Sequence, residues 1–291
     1  TVQVMGTVVA PAANVLQTSA EKLYGQGRFN ALAGWLSQFP ADVMADYPWL
    51  AYWQGTCTAL TNFQSGGDQL ERAFDGFKQC GDKLGEILCA AQIIDIIYFQ
   101  YENFRDFQNW LAELEHLDSM KFQFPSIEMR LQVLSAHLRA IVIYCPSSAL
   151  RLPLVELLEA EIKNNSDVNR RVSAALALVT HSSVCGPLNR AQWVLELVEK
   201  LAMSPDLAPV FRVYIGQVCG FWYWFNGNFG PALLTYQRTA EWADKLNLKV
   251  RHFIALYIIG SIHIATGRDS EGEVIAQTLQ NLSRPKNRFQ A

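Results

Sequence analysis

"CGFWYWFNGNFGPALLTYQ", residues 219–237, crowds aromatic rings between Phe221 and Phe229 and then continues as a mild amphipathic run. Its reading depends on whether it has relatives along the chain. Aligning Gly220 with Gly260 also aligns Gly227 with Gly267, and "KLYGQGRFNAL" repeats the second half, with Gly27 and Phe29 standing where Gly227 and Phe229 stand. A missing side chain at Gly220 or Gly260 lets a partner helix approach, and a turn glycine accepts positive φ without strain. The aromatic after the turn then closes the gap between two helices.

Apolar residues recur at three- and four-residue spacing in nearly every segment, as in "LAELEHL", "VELLEAEI" and "WVLELVEKL", and strand signals are weak. The chain reads as all-α. Gly, Pro and Asn punctuate it in two interleaved series: Gly27, Asn62, Asn103, Pro146, Gly186, Gly227 and Gly267, then Pro40, Gly81, Pro125, Asn165, Pro205 and Asn247. Both keep a step of about forty residues. One helix pair cannot bury its apolar face alone, so a period of this size predicts stacked pairs. The expectation is one domain over 1–291, a right-handed α-solenoid of seven pairs near 9–40, 42–81, 82–125, 126–165, 166–205, 206–247 and 248–285.

The opening stretch resembles the tetratricopeptide pattern through Gly220, Tyr223, Gly227, Phe229, Ala232 and Tyr236, and departs from it at Gly216 and Cys219, where Trp and Leu are usual. Residues 47–118 are more specific. Pro48, Leu50, Tyr52, Trp53 and Gly55, then Ala73, Phe77, Gly81 and Asp82, then Trp110, Leu111 and Leu114, with Asp167, Asn169 and Arg171 further on, are similar to the helical sensor region of MalT-type activators. These are the large ATP-dependent branch of the LuxR-family transcription regulators. The resemblance covers roughly residues 20–285. It implies a bacterial effector-sensing or protein-interaction module working beside other domains of the same polypeptide; no P-loop motif or basic recognition helix occurs in this sequence.

Half of the 291 residues are hydrophobic, 18% are charged and the formal net charge is −3, the balance of a folded chain with no basic face for nucleic acid. The six cysteines form no C-x-x-C pair and sit mostly in apolar helical runs, which reads as free thiols in a reducing, cytoplasmic compartment. The N-terminus lacks signal-peptide features, and the most apolar window, 253–262, is too short to span a bilayer. A chain beginning at Thr1 reads as a piece of something longer.

No catalytic constellation emerges, and neither a metal nor a cofactor is expected. His116, His137, His181, His252 and His263 make no i, i+4 ligand pairs, and "HSSVC" at 181–185 reads as a turn rather than a nucleophile site. Glu156, Glu159 and Glu161 read as a charged helix face, and Arg170 and Arg171 as ion-pairing residues. The better candidates line the concave face expected on the first helix of each pair: Tyr214, Gln217, Phe221, Trp224 and Phe225, then Tyr257 with Ile254, Ser261, Ile264 and Ala265, and also Trp49 and Tyr52. An aromatic wall with an amide suits a small oligosaccharide or a peptide, by stacking and oriented hydrogen bonds. The alternative is a passive interaction or oligomerisation scaffold without a small ligand, its rings filling the interior.

Overall fold

The computed structural model describes residues 19–283 apart from 25, 27, 101–103, 165 and 187. Among the described residues it is all helix and turn, with no strand. After a helical segment at residues 19–24 (α1) come α2 (Phe29–Leu36), the short α3 (Ala41–Asp46), α4 (Pro48–Ala59), α5 (Phe63–Cys80), α6 (Lys83–Gln100), α7 (Phe107–His116), α8 (Ile127–Tyr144) and α9 (Arg151–Asn164). They continue as α10 (Val168–Val184), α11 (Leu188–Ala202), α12 (Pro209–Phe225), α13 (Phe229–Lys245), α14 (Lys249–Ala265) and α15 (Asp269–Ser283).

The turn residues act through identifiable chemistry. Asn62, Ser126 and Asp167 cap α5, α8 and α10, each side chain accepting from the backbone N–H three residues on. Gly81 ends α5 in the left-handed region (φ 76°), and the following N–H, that of Asp82, reaches back to the Phe77 carbonyl (3.0 Å). Gly227 and Gly267 repeat that ending at φ 74° and 72°. Every punctuating residue that is described lies between helices; Gly27, Asn103 and Asn165 lie outside the described residues.

The chain divides into two units, Thr1–Phe211 and Arg212–Ala291, with the boundary inside α12. In the first, each even-numbered helix from α4 to α8 packs both on the helix that follows it and on the next even-numbered one, so α4, α6, α8 and α10 lie side by side. The odd-numbered α5, α7, α9 and α11 bury one stripe only, for instance Leu154, Val155, Leu158 and Ile162 on α9. The inner row is different: α6 buries thirteen of its eighteen residues and α8 buries eleven of its eighteen. Each fully buried Leu or Ile there, such as Leu134, Leu138 or Ile94, contributes about 2–3 kcal/mol relative to exposure.

In the second unit α13 packs on α14 and α14 on α15. Glycine makes the α12–α13 contact: a Cβ on Gly220 would come within 2.8 Å of the Tyr236 ring, and one on Gly216 within 1.8 Å of Thr239 Oγ1. That contact explains the departure at Gly216, where Trp is usual in the tetratricopeptide pattern; a large residue has no room. The Tyr236 hydroxyl donates to the Gln217 carbonyl (3.1 Å), and Ala232, Tyr236, Ala240, Ala255, Ile258, Ile259 and Ile262 form the core of the unit.

"HSSVC" differs from its expected place. His181, Ser182, Ser183 and Val184 belong to the last turn of α10, because the helix continues until Cys185 and the turn begins only there.

Candidate binding face

The candidate residues separate into two groups once their neighbours are known. Tyr52 and Trp49 belong to the core of the first unit. Tyr52 is only 2% exposed and accepts from Gln132 Nε2 (3.2 Å), and burial pushes its phenol well above its usual pKa. Trp49 is half-buried, donates from Nε1 to Asp82 Oδ2 (2.8 Å) and sits edge-on to Tyr52 and Phe77. Neither stands on an open wall.

Tyr52 instead begins a polar seam through the inner row of helices. Gln132 Nε2 also donates to Gln92 Oε1 (3.1 Å), so Tyr52 on α4, Gln92 on α6 and Gln132 on α8, spaced forty residues apart, meet in one cluster. Further along α6, Arg139 of α8 donates through Nε to Asp95 Oδ1 (3.0 Å), pairs with it also through Nη2, and lays its guanidinium over Tyr98. Thr180 Oγ1 gives its hydrogen to the Leu176 carbonyl, so the 3.3 Å contact with Tyr98 is a donation from the tyrosine to α10. Sequence reasoning missed this seam. Its signal was present: Gln92, Asp95, Gln132 and Arg139 interrupt otherwise apolar helices at steps near forty.

A second buried polar pair lies beside it. Ser119 Oγ and His137 Nδ1 are 2.7 Å apart, both side chains are buried, and burial pushes the imidazole down to about 4. His137 is therefore neutral near pH 7. His181 is also buried, with Arg151 Nη1 3.1 Å from its Nε2, and Ser182 is buried as well. His252 Nδ1 donates to the Ala240 carbonyl (3.0 Å) and ties α14 to α13. The arginines and glutamates serve as ties between helices: Arg170 to Glu128, Arg130 to Glu161 (3.0 Å), and Arg171 Nε to the Ile162 carbonyl (3.1 Å).

On α12 the candidates divide again. Gln217 is 4% exposed; its Oε1 accepts from Arg251 Nη1 of α14 (2.9 Å), and the Arg251 guanidinium covers the half-buried Tyr214 ring. Trp224 packs against the core of the unit. Phe221 and Phe225, one turn apart, stack with ring centroids 5.9 Å apart and planes inclined by 20°. Phe225 is 65% exposed, and Trp224 meets Phe221 edge-on. Tyr214, Phe221 and Phe225 at spacings of seven and four share one face of α12. The face is aromatic along its length but open only at its tip, where Phe225 stacks on the half-buried Phe221; its first ring, Tyr214, lies under the Arg251 guanidinium. α12 itself adds no charge to it, since no Asp, Glu, Lys or Arg lies between Val213 and Phe225. Tyr257 is also exposed, but on α14 with Phe253 and Ile264.

No protein-family model matches the chain, and no curated protein shows significant sequence similarity to it. The residues that carry the MalT-type resemblance have packing roles: Pro48 opens α4, Leu50, Trp53 and Phe77 are buried, Asp82 receives Trp49 and the Gly85 N–H, and Trp110 meets Phe74 edge-on. Asn169 Oδ1 likewise accepts from the Ala208 N–H (2.8 Å), fastening the segment before α12 to the start of α10. Among the described residues no helix is long and apolar enough to cross a membrane, and no group of three His, Cys, Asp or Glu side chains is placed to hold a metal ion.

Proposed function

We propose that the chain is a non-catalytic binding module, a tetratricopeptide-like right-handed α-solenoid that senses an effector or docks a partner for a cytoplasmic regulator of the MalT type. The observation that carries the reading is the stacked pair Phe221–Phe225, with Phe225 two-thirds exposed on an uncharged helix face. Exposed stacked aromatics lose little rotamer freedom on binding and offer a flat apolar surface to a sugar ring or a peptide side chain. Support for the solenoid comes from the meeting of Tyr52, Gln92 and Gln132, since stacked repeats bring equivalent positions together at a step of forty. The resemblance described above supplies the regulatory context, with other domains of the same polypeptide as the readout. A ligand that favours one packing of the repeats would transmit its binding by differential affinity for the two states.

A thermal-shift screen of oligosaccharides, peptides and nucleotides tests this. A specific ligand raises Tm by mass action, and Phe225→Ala abolishes the shift while leaving the unliganded Tm in place. Absence of any shift across the three classes removes the small-ligand form of the proposal and leaves the passive scaffold.

A further inference from the structure

The turn at the end of α12 is chemically unlike its counterpart at the end of α14. Both close on a glycine in the left-handed region, Gly227 at φ 74° and Gly267 at 72°, and in each the glycine N–H donates three residues back, to the Trp224 and Ile264 carbonyls (3.0 Å). The residue before each glycine also plays the same part. Asn226 Nδ2 donates to the Trp222 carbonyl (2.8 Å), and Thr266 Oγ1 donates to the Ile262 carbonyl (2.8 Å), four residues back in both cases. A threonine hydroxyl therefore suffices to hold this turn. What Asn226 adds is a carboxamide carbon placed directly before a glycine, and Asn226–Gly227 is the single Asn-Gly pair in the sequence.

That pair has a reaction open to it that Thr266–Gly267 lacks. The Gly227 nitrogen attacks Asn226 Cγ, the N–Cγ bond forms as the Cγ–Nδ2 bond breaks, and ammonia leaves with the proton taken from Gly227. Water then opens the resulting succinimide ring at either carbonyl, leaving aspartate or isoaspartate at 226. No catalyst is needed, and glycine favours ring closure because it has no Cβ to crowd the attacking nitrogen. The fold leaves the approach open: both residues are exposed, and nothing lies within 4 Å of where a Gly227 Cβ would stand. The opposing contacts are the two hydrogen bonds just described, and both sit at a helix end, where local opening is easiest. We propose that Asn226–Gly227 is a self-modification site, at which the folded chain slowly converts the amide at the tip of α12 into a carboxylate. The product undoes its own turn. A carboxylate cannot donate to the Trp222 carbonyl, its charge sits at the negative end of α12, and the lengthened backbone of isoaspartate displaces the Asn228 N–H from the Tyr223 carbonyl (2.8 Å). Phe225, the last residue of α12, then loses the helical turn that stacks it on Phe221. Ageing of the chain thereby ends binding at Phe225, a consequence that rests on the function proposed above.

Incubation of the folded full chain at neutral and alkaline pH, followed by peptide mass mapping, tests this. Amide-to-acid conversion is expected at 226 at a rate about tenfold or more above that at Asn228 and Asn247, which precede Phe229 and Leu248 rather than glycine. The rate rises with pH, because the attacking nitrogen must lose its proton, and isoaspartate accompanies aspartate. Asn226→Thr, the residue of the sibling turn, abolishes the product and leaves Tm in place. Asn226→Asp reproduces the consequence, with amide hydrogen exchange over residues 225–228 about tenfold faster than in the unmodified chain. Neither readout uses a ligand, so this inference and the binding reading fail independently. A folded chain that keeps the Asn226 amide as long as that of Asn228 overturns the proposal, even if the urea-unfolded chain loses it, because the fold then holds the carboxamide out of reach. Unchanged exchange in Asn226→Asp overturns the link from the modification to the Phe225 tip.

Discussion

Helices α6 and α14 look interchangeable in composition, each a long apolar run with few charges, and they meet opposite fates. α6 buries thirteen of eighteen residues and α14 only six of seventeen. The difference lies in what stands beside them. α6 has α4 on one flank and α8 on the other, and α5 and α7 behind; the polar groups it carries, Gln92, Asp95 and Tyr98, are each answered by a neighbouring helix. α14 has α13, α15 and, through Gln217 and Trp224, α12, and leaves Phe253, Tyr257 and Ile264 to solvent. A helix with few charges is therefore core on the faces that neighbours cover and keeps apolar side chains exposed on the face that they leave.

The comparison can be broken most severely at the seam. Asp95→Ala leaves the Arg139 guanidinium buried with its carboxylate removed, a loss of about 3–5 kcal/mol by denaturant unfolding. If the inner face were wet, water would take over and the loss would fall below about 1 kcal/mol. Next, Leu138→Ala on α8 removes a fully buried side chain and costs about 2–5 kcal/mol, against less than about 1 kcal/mol for Ile264→Ala on α14, measured by urea midpoints in the same buffer.

Acid should find the closed region at a third site. The unfolded chain binds a proton at His137 near its ordinary 6.5, whereas the folded chain, with the imidazole held at about 4, does not. The contribution of this group to stability is thus complete above pH 6.5, falls as pH drops toward 4 and is flat below that, with a total loss of about 3 kcal/mol. His137→Gln should remove that slope from a stability–pH profile; a slope unchanged by the substitution would mean that the imidazole is hydrated in the fold. The smallest effect belongs to the open face. Phe225→Ala should change unliganded stability by no more than about 0.5 kcal/mol, as expected for a side chain that covers little.

The helical class and the turns were legible in the sequence, since the punctuating residues act locally: Asn62, Gly81 and Gly227 each set a cap or a left-handed turn by their own chemistry. So was the tight α12–α13 contact, foreseen from Gly220 and met by Tyr236. Which rings face solvent was not legible. Trp224 and Phe225 are adjacent and both aromatic, but a step of 100° around α12 turns one onto the core and the other outward. Tyr52 sits in a run of groove-like spacing and is buried because Gln132, eighty residues away, brings α8 over it. Burial of this kind depends on contacts distant in the chain, and helical periodicity reports only one helix at a time.

Hydroxyl-radical footprinting of the dilute, ligand-free chain tests the central contrast most directly. Phe225 should be oxidised at a rate close to that in the unfolded chain, while Tyr52, Phe77 and Tyr98 should be strongly protected. Equal protection of Phe225 and Tyr98, or ready oxidation of Tyr52, would contradict an account in which the same kind of apolar helix is closed in the first unit and open in the second.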